Sequence, residues 1–73
     1  MKISNTAFEI GWYNSKAGDK AKIKKKIMAE IRIYDDFIFY DRLHGDVPMS
    51  TEDCKKIELI FNNHGVTEIW GKV

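Results

Sequence analysis

AKIKKKIMAEIRIY, residues 21–34, is the stretch whose reading decides the fold. Its odd positions hold Ala21, Ile23, Ile27, Ala29, Ile31 and Ile33, with Lys25 the exception. Its even positions hold Lys22, Lys24, Lys26, Met28, Glu30, Arg32 and Tyr34. Alternation of apolar and charged residues over this length is the period-two pattern of a half-buried β-strand. A helix over residues 20–31 competes, because Ile23, Ile27 and Ile31 also recur every four positions. Two features favour the strand. Ala29 and Ile33 complete the period-two set, and IRIY is rich in residues that suit a pleated surface.

Upstream, Phe8, Ile10 and Trp12 alternate with Glu9, Gly11 and Tyr13, which predicts a first strand over residues 3–13. NSKAGD, residues 14–19, has the Asn, Asp and Gly of a loop. Downstream, Asp35 and Asp36 interrupt the apolar run and FIFYDRL resumes it, a third strand over residues 37–43. A three-residue turn over Tyr34, Asp35 and Asp36 sets Ile33 opposite Phe37 and Ile31 opposite Phe39. A two-residue turn would set like charges face to face, so the first register is expected.

HGDVPM, residues 44–49, then breaks the sheet. Ser50 is a good N-cap, with Asp53 three residues on, and the helix runs over residues 51–63. Its buried stripe is Cys54, Ile57 and Phe61, flanked by Ile60, and Gly65 ends it. VTEIWGK supplies a fourth strand over residues 66–72. The expected fold class is therefore α+β, a single β-β-β-α-β domain over residues 1–73. One helix covers one face of a small, mostly antiparallel sheet. Phe8, Trp12, Phe37, Phe39 and Phe61 are its expected core, and Tyr13, Tyr34, Ile38 and Tyr40 lie on the outer face.

Length leaves little margin. The chain has 73 residues, and a domain of that size buries only about 60% of the surface its unfolded form exposes. The one cysteine, Cys54, rules out an internal disulfide and fits a reducing, cytoplasmic setting. No leader with a basic region and apolar run is visible, and no apolar run nears the ~20 residues that cross a bilayer. Formal net charge is +1, which argues against a dedicated DNA-coating protein. The charge is uneven, however: residues 16–26 hold six lysines and one acid, Asp19. Plentiful Ile, Lys, Asn, Phe and Tyr fit an AT-rich coding sequence, as in many mobile elements.

On a strand, Lys22, Lys24 and Lys26 would share one face about 6.5–7 Å apart, near the repeat of a phosphate backbone. Arg32 continues that face, and Met28, Tyr34, Ile38 and Tyr40 add apolar and stacking surface. A solvating face needs none of these last four, and mixed aromatics and charges are what interface centres contain. These eight residues are the candidate partner-binding set. Catalysis has little support. His44 with Asp46, and His64 near a helix end, are acid–base or metal candidates, and a small RNase-like toxin using His44 with Lys or Arg residues is the enzyme alternative. No phosphate loop, zinc spacing or nucleophile motif is present. No cofactor or metal is expected.

The leading expectation is a non-enzymatic protein-binding module, a small inhibitor or modulator of a larger partner. It is comparable in kind to the compact binders and immunity proteins of phages and mobile elements. Single-stranded nucleic-acid or RNA binding through the lysines is the alternative, and a homodimer through the outer face is compatible with either.

Overall fold

The computed structural model describes residues 6–73. The described residues form four helices: α1 (Glu9–Asn14), α2 (Ala17–Glu30), α3 (Asp36–His44) and α4 (Thr51–Asn63). Among them there is no strand, only an isolated parallel bridge between Phe8 and Gly71. The fold is all-α, which overturns the α+β expectation. The first three expected strands are replaced by α1, α2 and α3, and the fourth by an extended segment without a sheet. Residues 3–5 of the first strand lie outside the described residues.

The alternation in α2 is a coincidence of two patterns. Ala21 and Ala29, which complete the period-two set, are exposed and need no core. What remains is Ile23 and Ile27, both fully buried one turn apart, followed by Ile31 packed on the core. Ala, Lys, Met and Glu fill most other positions and are strong helix formers. Ile33 is buried because the chain turns back after the helix, not because it alternates.

The same correction applies to α3. Asp35 is a helix cap rather than a hairpin turn: its carboxylate accepts the backbone N–H of Phe37 at 2.7 Å. Residues two apart on a helix point roughly 200° away from each other. Phe39 and Leu43 therefore face inward while Phe37 is 83% exposed, so Phe37 is not a core residue. In α4 the sequence reading holds. Ser50 Oγ accepts the N–H of Asp53 at 3.1 Å, and Ile57, Ile60 and Phe61 are buried. Cys54 is only half-buried; burial, then the nearby Asp53 and Glu58, pushes its thiol pKa up.

Three helices end in one motif, a left-handed residue followed by a residue whose N–H reaches back five positions. After α4, Gly65 (φ 80°) is left-handed and Val66 N–H donates to Phe61 O at 2.9 Å. After α3, Gly45 (φ 80°) is left-handed and Asp46 N–H donates to Asp41 O at 3.0 Å. After α2, Ile33 N–H donates to Met28 O at 2.9 Å, but the left-handed residue is Arg32, at φ 59°. A residue with a Cβ sits there at a cost of roughly 1–2 kcal/mol.

α2 packs on α4, and α1 on α3. Phe8 lies at the centre, with ring centroids 5.9 Å from Phe39, 6.0 Å from Phe61 and 6.3 Å from Trp70. The segment after α4 runs back along α1. Gly71 N–H donates to Ala7 O at 2.8 Å, and the otherwise unpaired first-turn N–H groups of Ile10 and Gly11 donate to Gly71 O at 3.2 Å and Ile69 O at 2.9 Å. Gly11 permits this approach, since a Cβ there would lie 3.1 Å from Ile69 Cα. At the other end of α1, Lys20 Nζ donates to Trp12 O and Ser15 O, both at 2.7 Å.

Candidate partner-binding surface

A helix scatters the lysines that a strand would have aligned. Lys24 turns toward α3, where its ammonium lies 3.1 Å from Asp36 Oδ1 and 5.1 Å and 5.6 Å from the ring centroids of Tyr40 and Phe39. The bond to Asp36 raises its pKa. Lys24 thus braces α2 against α3. Lys26 lines a shallow groove between α2 and α4 with Glu30 and Lys56. Lys22 is exposed. The phosphate-like spacing expected of Lys22, Lys24 and Lys26 is absent.

The apolar members of the set come closer together. Met28 and Tyr34 line an open groove of about 320 Å³ at the outer end of α2, with Lys25, Ala29 and Ile33. The groove exists because of the α2 end motif: the bond from Ile33 to Met28 folds the chain back and brings those two side chains to one wall. Arg32 is exposed in the turn immediately before Ile33 and Tyr34. Tyr34, before the α3 cap, is 84% exposed, and Phe37, in the first turn of α3, is 83% exposed. Ile38 and Tyr40 are part-exposed on opposite flanks of α3, with the Tyr40 ring stacked on His44 at 6.4 Å.

The structure therefore brings Met28 and Tyr34 together at one corner, with Arg32 in the turn between them and Lys22 one helical turn before Lys25 on the outer side of α2. Ile38 lies on the flank of α3 opposite Tyr40, which faces Lys24 of α2. Lys24, Lys26 and Tyr40 lie on other faces. Lys25 and Ile33 line the groove at this corner and exposed Phe37 follows Tyr34 by three residues; none of the three belongs to the expected partner-binding set. Phe37 was legible only under the helical reading, where it falls opposite Phe39.

A second groove, about 480 Å³, opens between α1, the start of α2 and the end of α3. Trp12, Tyr13 and Leu43 wall it, with Lys20, Glu9 and His44 at its edge. His44 pairs with Glu9, not with Asp46 as its sequence neighbourhood suggested. Its Nδ1 lies 2.5 Å from Glu9 Oε2, and Glu9 Oε1 accepts the N–H of Val73 at 3.2 Å. These two bonds, His44 first, hold the Glu9 carboxyl below its ordinary pKa. His64 lies 3.6 Å from Asp19 across the start of α2. Among the described residues no group of three His, Cys, Asp or Glu side chains is placed to hold a metal ion. No described helix is long and apolar enough to cross a membrane.

Comparison of the chain with models of known protein families, with curated proteins and with solved structures finds no match.

Proposed function

We propose that this protein is a non-enzymatic protein-binding module that engages a larger partner through the corner between α2 and α3, as a small inhibitor or modulator. One observation carries the reading. Tyr34, which lines an apolar groove, and Phe37, three residues on, are each more than four-fifths exposed, in a chain whose other three phenylalanines are fully buried. Clustered apolar exposure of this kind marks interaction sites, and aromatic side chains with a neighbouring Arg dominate the energy of protein interfaces. The small size of the chain and its mobile-element-like residue usage fit a binder of this type.

The test is affinity capture from nuclease-treated lysate of the native host, with wild type and a Tyr34→Ser/Phe37→Ser variant compared side by side. Both should show the same helical circular dichroism. The expected outcome is a partner retained by wild type and lost by the variant; equal retention removes this corner as the binding surface.

Single-stranded nucleic acid is a second reading, supported by Lys22, Lys25 and Lys26 on α2, none of which forms an ion pair with a described residue. Binding through three or four cations would give a log affinity against log salt slope of roughly −2 to −3. A shallow slope eliminates it.

A further inference from the structure

We propose that the groove at the outer end of α2 takes an acidic peptide segment of the partner. One apolar side chain of that segment occupies the groove, and its flanking carboxylates meet Arg32 and Lys25. This inference rests on the protein-binding reading and adds the chemistry of what is bound.

The groove has the size and lining for a single large apolar side chain: about 320 Å³, walled by Met28, Ala29, Ile33 and Tyr34. Lys25 is the one charged residue of its lining. It has no carboxylate within ion-pair distance among the described residues, whereas Lys24, one position away, is committed to Asp36. Glu30 faces the other way, into the groove shared with α4. The negative end of the α2 dipole also lies here, so an anion is held by side chains and not by the helix terminus.

Arg32 is the more telling residue. The same end motif after α3 and α4 uses Gly45 and Gly65, and neither strains the chain. After α2 an arginine holds the left-handed position at φ 59°, fully consistent in hydrogen bonding but unfavourable in backbone conformation. Strain of this sort concentrates where a side chain is needed for binding. A guanidinium presents a planar fork that matches a carboxylate with two parallel hydrogen bonds. Arg32 has no such partner among the described residues, and it directly precedes two residues that line the groove.

A second copy of this chain fits poorly as occupant. A two-fold contact through this corner would set Lys22, Lys25 and Arg32 against the same residues of the other copy, and like charges facing one another oppose association. A nucleic acid would satisfy the cations but leave the apolar groove unused.

The test uses fluorescein-labelled peptides and fluorescence anisotropy on the full chain. The probe is a Leu-Phe pair flanked by two glutamates on each side; one control replaces the glutamates with glutamines, the other replaces Leu-Phe with Ser-Ser. Wild type should bind the probe at least about tenfold more tightly than either control. Arg32→Gly should raise the melting temperature and yet weaken probe binding about tenfold or more, a combination that a purely structural role for Arg32 does not produce. The proposal is overturned if the glutamine control binds as well as the probe, if Arg32→Gly binds the probe undiminished, if no peptide binds, or if a labelled oligothymidylate binds more tightly than the probe. If host partner capture still depends on Tyr34 and Phe37 while the probe fails, the acidic-segment inference falls and the protein-binding reading stands.

Discussion

Arg32 and Gly65 occupy equivalent places at the ends of α2 and α4, with φ of 59° and 80°. Each is followed by a residue whose N–H closes the same bond to a carbonyl five positions back, Ile33 to Met28 and Val66 to Phe61. One backbone requirement is thus met by an arginine at one helix end and a glycine at the other.

Exchanging the two solutions should have opposite effects. Arg32→Gly removes a left-handed strain of roughly 1–2 kcal/mol and gives back part of it as unfolded-chain entropy, for a net gain of about 1 kcal/mol. For a domain of this size that raises Tm by about 4–8 °C. At Gly65 a Cβ would meet nothing within 4 Å, so Gly65→Ala isolates the backbone effect and should lower Tm by a similar amount. Thermal melts followed by circular dichroism check both signs.

Phe37 and Phe39 discriminate a helix from a strand, since only a helix places them on opposite sides. Phe39 is fully buried, with ring centroids 5.5 Å from Trp12 and 5.9 Å from Phe8. Phe39→Ala should cost about 3–5 kcal/mol. That is between about a quarter and all of the ~4–11 kcal/mol available to a chain of this length, so the variant should show a large drop in its unfolding midpoint. Phe37→Ser should change stability by less than about 0.5 kcal/mol. Urea titrations of the two variants measure the contrast.

Gly11 and Gly18 make a second contrasting pair. Alanine in a helix ordinarily gains about 0.5–1 kcal/mol over glycine, and Gly18, with nothing within 4 Å of an added Cβ, should show a gain near the lower figure. Gly11→Ala should reverse the sign. Its Cβ would press on Ile69 Cα at 3.1 Å, and Ile69 is held in place by its own bond to Gly11 N–H at 2.9 Å. Overpacking of this kind costs typically 1–3 kcal/mol. Denaturant unfolding of both variants tests the prediction.

Glu9 gives the fold a small acid dependence. Its folded pKa is depressed by His44 and by Val73 N–H, so its contribution is fully present above its ordinary value of 4.5 and is lost as pH falls through the folded value. Wild type should lose stability between pH 5 and pH 3 more steeply than Glu9→Gln, measured by urea midpoints at intervals of about half a unit. Identical slopes would mean that the two hydrogen bonds contribute nothing to folding.

α4 was legible in the sequence because its signals agree: Ser50 capping, Asp53 at the third position, isoleucine and phenylalanine at helical spacing, and Gly65 after the end. α2 and α3 were not, for a physical reason. Ile23, Ile27 and Ile31 recur every four positions, a multiple of two and close to 3.6, with exposed Ala21 and Ala29 in the gaps, and FIFYDRL in α3 places aromatic residues two apart as a strand would. An alanine suits a water-facing helix side as well as a core, so Ala21 and Ala29 carry no information about burial. Tyr34 and Ile38 are legible as apolar surface without a core partner under either pattern. Phe37 was hidden, because the strand register turned it inward. The Glu9–His44 pair joins residues 35 positions apart, and no local pattern could have announced it.

The return of residues 69–73 along α1 has a kinetic consequence. Helical domains usually fold fast because most of their contacts are local. Here the N-terminal turn of α1 is completed by Ile69 and Gly71, and Val73 bonds to Glu9 across 64 positions. The final closure is a search between distant parts of the chain, and this fold should form more slowly than helical domains held by local contacts alone.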